Sequence, residues 1–181
     1  MKKVLLILIL LIIIAALIKI YLLNDDMKPE DFKNTEPEIK IEKYFEGQVK
    51  AWGILQDRKG KVTRQFNANM LGKFENNILT LEEDFFWKDG ETQRRVWKIE
   101  KIDEHNYIGT APDVVGEAKG VSYGSAFKFE YNLMIPFKGK NIKIRFDDWI
   151  FKQDEKVAIN RAIMTKFGIK VAELTVFFQK N

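Results

Sequence analysis

Six apolar side chains occupy every second position from residue 127 to residue 137, and this spacing restricts the folds open to the chain more than any other feature. The residues between them include Lys128, Glu130 and Asn132. A helix would distribute the apolar residues around its whole circumference, whereas a strand places them all on one face. The segment therefore predicts a long strand with one buried face, formed by Phe127, Phe129, Tyr131, Leu133, Ile135 and Phe137.

The same alternation continues from Gly47 to the C-terminus, with turn signals about every dozen residues. No stretch after residue 46 has helical periodicity. About nine or ten antiparallel strands joined by short turns predict an all-β, up-and-down meander that closes into a lipocalin-like barrel and so leaves no exposed edge strand. A β-sandwich is the alternative, because it has the same periodicity. A barrel of this size would enclose side chains or one small ligand.

The first 23 residues contain an apolar run that begins after two lysines. Residues 4–18 are all apolar, and Lys19 is followed by a further apolar stretch that ends at Leu23. About 20 such residues can cross a bilayer as a helix. We expect a transmembrane anchor over residues 1–23, a linker over 24–38 and a β-barrel domain over 39–181. A cleaved signal peptide and a buried soluble helix are the alternatives.

The charges that flank the apolar run predict the location of the domain. Lysines precede the run and acidic residues follow it, which favours an N-terminus on the cytoplasmic side. We therefore expect a single-pass protein of the cytoplasmic (inner) membrane, with its C-terminal domain in the periplasm or outside the cell.

Composition excludes several classes of site. The chain has no cysteine and one histidine, His105, so disulfides, thiolate nucleophiles and multi-histidine metal sites are ruled out. Three of the 30 basic residues lie in the first 23 residues, which leaves 27 basic against 26 acidic residues in the rest. A nucleic-acid surface requires clustered positive charge. We expect no metal, no cofactor and no nucleic-acid partner.

Charged residues that alternate with apolar residues are the candidate site. Asp89-Gly90 is a two-residue hairpin signal, and the register that it predicts places Glu83 and Arg94 together on an apolar face. Asp148, Arg161 and Glu173 alternate with apolar residues in the C-terminal strands. We expect these five charged residues to converge inside the barrel. A structural network, a site for the head group of a ligand, and catalysis by a buried carboxylate all remain possible interpretations, and no catalytic residue is assigned.

Several short strings occur in a characteristic order along residues 40–179. They are Ala51-Trp52-Gly53, Glu83-Asp84-Phe85, Asp89-Gly90-Glu91, Arg95-Val96-Trp97, Phe146-Asp147-Asp148-Trp149 and Asn160-Arg161. In this order they resemble the bacterial domain of unknown function family 3833, whose members are described as predicted lipoproteins. The resemblance implies no reaction, because the family has none assigned. The chain lacks the cysteine that a lipoprotein acylates, so its attachment would depend on the apolar helix.

A more distant likeness is to lipocalins, in which an arginine of a late strand packs near a tryptophan of the first strand. Gly47 and Trp52 are five residues apart here, so the lipocalin Gly-x-Trp signature is not met. The likeness implies a contact between Arg161 and Trp52, and it adds Trp52 to the candidate ligand-binding residues.

Together these features predict a membrane-anchored, extracytoplasmic β-barrel that binds an apolar or amphipathic ligand, such as a lipid or fatty acyl chain, in envelope lipid handling. Arg161 or Arg94 would meet a carboxylate or phosphate, oriented by Asp148, Glu83 or Glu173. One alternative is a non-catalytic envelope scaffold or accessory subunit with a packed core, which binds another envelope protein. The other is a lipid-modifying enzyme that uses a buried carboxylate.

Overall fold

The computed structural model describes residues 2–23, 27–137 and 139–181, and its main feature is a closed antiparallel sheet. Each strand pairs with its neighbour in sequence, and the first strand pairs with the last. This ring confirms the predicted meander barrel over the β-sandwich. The strands are β1 (Gly47–Asp57), β2 (Val62–Glu75), β3 (Ile78–Trp87), β4 (Thr92–Lys101), β5 (Asn106–Thr110), β6 (Ala118–Tyr123), β7 (Ala126–Phe137), β8 (Lys140–Lys152), β9 (Val157–Lys166) and β10 (Ile169–Lys180).

The apolar N-terminal run is helical. Helix α1 extends from Lys2 to Leu23, and its large apolar side chains between Val4 and Ile18 are exposed. No helix within the described residues meets the length and hydropathy required of a membrane span. Met1 and the first three residues of the predicted linker, 24–26, lie outside the described residues.

A segment that precedes the barrel packs against its wall and covers one of its ends. It contains a 3-10 helix (Pro29–Phe32) and the short helix α2 (Ile41–Tyr44). The ring of Phe32 lies 5.9 Å from that of Trp149 on the outer wall, measured between centroids. Near the end of the barrel, the Tyr44 hydroxyl donates to the carbonyl of Lys156 at 2.9 Å. These contacts hold the segment against the barrel.

Gly72 in β2 allows the covering segment to approach the barrel closely. A Cβ atom at Gly72 would lie 1.9 Å from the carbonyl oxygen of Phe45. Only a residue without a side chain fits at this point, because any Cβ would overlap that backbone oxygen. The Phe45 ring in turn packs edge-on against Phe178 of β10, with centroids 5.3 Å apart, and forms part of the apolar core.

Candidate functional site

The hairpin between β3 and β4 decides which charged residues face inward. The backbone N–H of Trp87 donates to the carbonyl of Glu91 at 2.9 Å, and that of Gly90 donates to the carbonyl of Trp87 at 3.0 Å. Three residues, 88–90, therefore form the turn, and Gly90 closes it with a φ of 91°, as in a hairpin with a glycine bulge. The predicted two-residue turn at Asp89-Gly90 is wrong by one residue.

This one-residue difference exchanges two neighbouring arginines, because successive residues of a strand point to opposite faces. Arg95 opposes Glu83, and Arg94 opposes Asp84. The Arg95 side chain lies inside and is 15% exposed, whereas that of Arg94 is 57% exposed and binds Asp84 and Glu82 on the outer wall. The predicted interior position of Arg94 is wrong, and Arg95 is the interior arginine that sequence analysis missed.

Arg95 makes its hydrogen bonds with Asp113, in the loop between β5 and β6. Its Nε donates to the two carboxylate oxygens of Asp113 at 3.2 and 3.1 Å, and its Nη2 donates to Oδ2 at 2.8 Å. Oε2 of Glu83 lies 3.8 Å from Nη1 of Arg95, which is beyond hydrogen-bonding distance. This buried oxygen finds no hydrogen-bond partner among the described residues, so Glu83 presents an unpartnered acceptor to the interior.

Asp148 supplies a second interior carboxylate, on β8. Its Oδ2 accepts a hydrogen bond from the Tyr131 hydroxyl at 2.8 Å, and its Oδ1 accepts one from the side-chain amide of Asn160. The same amide donates to the carbonyl of Trp149 at 3.0 Å. Asp148 is thus oriented from both adjacent strands, and it lies inside as its alternation with apolar residues predicts. Tyr131 and Asn160 are further site residues that sequence analysis did not identify.

Burial raises the pKa of both interior acids. Desolvation is the largest effect at Glu83, where the pKa rises to about 7; the Arg95 charge and a hydrogen bond from Trp97 oppose the rise, and the charges of Asp148 and Asp113 add to it. Desolvation also raises the pKa of Asp148 to about 6, although the hydrogen bonds that it accepts lower it. Both acids therefore titrate close to neutral pH.

Both acids line a cavity of about 670 Å³ inside the barrel. The cavity extends from Ile41 and Phe45, in the covering segment, to Arg64 and Trp87 near the β3–β4 turn. Its volume and its mainly apolar wall with a few polar groups are typical of a small-molecule site. The wall includes Phe66, Phe85, Trp97, Phe127, Phe129 and Phe146.

Arg64 and Trp87 form a polar rim at the end of the cavity opposite the covering segment. The Arg64 guanidinium lies 3.9 Å from the centroid of the Trp87 ring, and it binds Asp89 at 2.7 Å and Glu91 at 2.6 Å. Trp87 Nε1 is buried and has no hydrogen-bond partner within the described parts of the chain. The rim therefore presents a second buried polar atom, a donor, to the cavity.

The remaining predicted site residues lie on the outer wall. Arg161 is 62% exposed and forms an ion pair with Glu173. Trp52 is 44% exposed and packs on Phe177, with ring centroids 6.0 Å apart. The structure thus brings Glu83 and Asp148 into one cavity and places Arg94, Arg161, Glu173 and Trp52 outside it. The predicted convergence of all five charged residues is wrong.

The error at Arg161 has a physical cause in β9. Two of the inward-facing residues of this strand are small, the fully buried Ala158 and Ala162, whereas the outward-facing Ile159 and Ile163 are 38% and 39% exposed. Hydrophobicity alone therefore favours the wrong face.

Among the described residues, no group of three or more histidine, aspartate or glutamate side chains is arranged to hold a metal ion.

Two solved structures have the same fold over most of this chain. A protein of unknown function from the DUF3598 family of Nostoc punctiforme matches with a TM-score of 0.60 and 10% identity, over 81% of this chain and 51% of its own. This chain thus spans about half the length of that protein. The S-type phycobiliprotein lyase of Guillardia theta matches with a TM-score of 0.56 and 7% identity, over 81% of this chain and 94% of its own.

Sequence comparison gives the family. No protein with a curated description is a significant sequence relative. The profile of the family described as "Protein of unknown function (DUF3833)" matches residues 21–180, which include every strand of the barrel and both acids of the cavity. The chain belongs to this family, as the order of its short strings indicates.

Proposed function

We propose that this protein binds an apolar or amphipathic ligand inside its barrel. The observation that carries the proposal is the cavity of about 670 Å³, with its mainly aromatic and aliphatic wall. A protein with a purely structural interior would fill this space, because protein cores pack to nearly crystalline density. The scaffold hypothesis required such a filled core. The barrel fold shared with the S-type phycobiliprotein lyase is compatible with an enclosed hydrophobic ligand.

Membrane attachment through the N-terminal helix is the second part of the proposal. The exposed apolar side chains of α1 support it, because contiguous apolar surface of this size is rarely left in contact with water. The basic residues before the run favour a domain outside the cytoplasm. The protein would then hold a lipid or acyl chain at the cytoplasmic membrane, in envelope lipid handling.

Mass spectrometry of an organic extract tests ligand binding. Full-length protein purified gently from its native membranes should carry a stoichiometric amphipathic molecule that an unrelated anchored protein lacks. Leu174→Trp places a large side chain in the cavity, since Leu174 lines it, and should reduce the amount of extracted ligand. Phe177→Trp is the matched control, because Phe177 lies on the outer face of the same strand, and it should retain the ligand.

Two outcomes would contradict ligand binding. Wild-type protein with only the lipids of the unrelated control would remove the proposal, as would equal ligand content in the Leu174→Trp and Phe177→Trp proteins. Circular dichroism of both variants establishes that each is folded before their ligand contents are compared.

Alkaline carbonate extraction tests the anchor. Wild-type protein should remain with the membrane pellet, and the double substitution Leu10→Lys and Ile13→Lys should release it, because a lysine within hydrocarbon is costly. Leu71→Lys provides the control, since Leu71 is 52% exposed on the barrel and its substitution should leave the protein in the pellet. Release of the wild-type protein by carbonate would contradict the anchor.

A further inference from the structure

In the wall of the cavity, Oε2 of Glu83 is a buried acceptor that no described residue partners. The Glu83 side chain is 10% exposed and lines the cavity, and within the described residues this oxygen accepts no hydrogen bond. A buried acceptor without a donor is destabilising. Such groups are rare in folded proteins and require a specific explanation. A ligand that supplies the missing donor would provide one.

The charges around Glu83 show what kind of ligand group would be favourable. The only cation that interacts with Glu83 among the described interior residues is Arg95, and its three hydrogen bonds all go to Asp113. Asp148, on the opposite wall, raises the pKa of Glu83 through its negative charge. Three carboxyl groups thus share one guanidinium, and the Tyr131 hydroxyl is already used by Asp148.

An anionic head group would add a fourth acid to this cluster in a medium of low polarity, where like charges repel strongly. A donor without negative charge would instead satisfy Glu83 and reduce the repulsion. We propose that the ligand ends in a hydrogen-bond donor, an ammonium or hydroxyl group, which binds Oε2 of Glu83. This inference depends on the proposed function, and it replaces the expectation that an arginine binds a carboxylate or phosphate.

Three probes with the same alkyl chain test the inference: dodecylamine, dodecanol and dodecanoic acid. Their binding to the full-length protein in a neutral detergent can be measured by native mass spectrometry. The amine or the alcohol should bind at least about tenfold more tightly than the acid, since a hydrogen bond to a charged group corresponds to a factor of about 10 to 100. The shared chain makes the contribution of the apolar wall equal in all three.

A pair of neighbouring substitutions isolates the contribution of Glu83. Glu83→Gln should weaken binding of the amine about tenfold. Glu82→Gln should not change it, because Glu82 is 42% exposed and binds Arg94 on the outer wall. The affinity of the wild-type protein for the amine should also rise several-fold from pH 6 to pH 8, as Glu83 with its pKa of about 7 ionises. The Glu83→Gln protein should lack this rise.

Different outcomes separate the inference from the proposed function. Dodecanoic acid that binds as tightly as the other probes would overturn the inference and leave ligand binding intact. An unchanged amine affinity in Glu83→Gln, or a flat pH profile in the wild-type protein, would also overturn the inference. If none of the three probes binds, the proposed function fails together with the inference. The ranking in the wild-type protein needs no variant, so it stands even if a substitution impairs folding.

Discussion

Two acids are buried at two levels of the same barrel, and their surroundings differ in one respect. Glu42, in α2 at the covered end, accepts a hydrogen bond from Lys101 Nζ at 2.5 Å on one oxygen and from the Tyr107 hydroxyl at 2.9 Å on the other. Glu83, in the cavity, has Arg95 nearby but keeps one oxygen unpartnered within the described residues. Both acids are almost inaccessible to solvent, at 3% and 8% exposure.

Their pKa values move in opposite directions. Burial would raise the pKa of Glu42, but the hydrogen bonds from Lys101, from the backbone of Glu42 itself and from Tyr107, together with the Lys101 charge, outweigh it and hold the pKa below its ordinary value. At Glu83 burial dominates, and the pKa rises to about 7. Both oxygens of Glu42 thus accept a hydrogen bond, and the ionised residue stabilises the fold. Glu83 is destabilising when ionised, because the charge is buried and one of its oxygens lacks a hydrogen-bond donor within the described residues.

The largest expected effect that tests this comparison is at the covered end. Glu42→Gln should lower the free energy of unfolding by about 3 kcal/mol at pH 7, because it leaves Lys101 without its buried counter-ion and disturbs the hydrogen bond from Tyr107. Urea denaturation followed by near-ultraviolet circular dichroism measures this change. Glu38→Gln in the same segment is the control, since Glu38 is 49% exposed. A loss at Glu42 no larger than at Glu38 would remove its structural role.

The second expected effect is smaller and depends on pH. The folded-state pKa of Glu83 is about 7 against an ordinary value of 4.5, so folding favours the protonated acid. Its contribution to stability is fully present below about pH 4.5 and is lost as the pH rises through about 7. Glu83→Gln removes this titration. Relative to wild type, the variant should therefore gain about 2 kcal/mol in the free energy of unfolding between pH 5 and pH 8.

The same denaturation experiment, repeated across this pH range, measures the difference between the two proteins. A constant offset at all pH values reflects only the fit of the glutamine amide, so the slope carries the test. Glu82→Gln should give no slope, because its parent residue is exposed on the outer wall. A variant that loses stability relative to wild type as the pH rises would show that Glu83 resembles Glu42.

Much of this fold could be predicted from the sequence, because alternation reports strands directly. The clean pattern of β7 and β8 gives both the strands and the interior position of Asp148. The register of β3 and β4 could not be predicted in the same way. A two-residue turn at Asp89-Gly90 and a three-residue turn over residues 88–90 both give Gly90 a positive φ, so the Asp-Gly signal does not choose between them. Shifting that turn by one residue moves every side chain of β4 to the opposite face.

A different limit applies to β9 and β10, where both faces are partly apolar. Periodicity cannot identify the inner face when the inside holds alanines and the outside holds isoleucine and phenylalanine, as at Ala162, Ile163 and Phe177. The prediction of the site residues was therefore wrong at two places, the β3–β4 register and the choice of inner face in β9 and β10. Partners that come from other strands, such as Tyr131 and Asn160 around Asp148, depend on the closed barrel and carry no local signal.

The smallest expected effect tests the outer wall. Arg161→Ala should change the free energy of unfolding by less than about 0.5 kcal/mol, because exposed ion pairs contribute little and Glu173 keeps a second cation, Lys170 Nζ at 2.5 Å. Its extracted ligand should equal that of wild type. Arg95→Ala is the contrasting variant: it removes every hydrogen bond between this arginine and Asp113 and should cost several-fold more stability. If Arg161→Ala lost the ligand and Arg95→Ala kept it, the ligand's polar group would contact the outer wall, which would contradict the interior site.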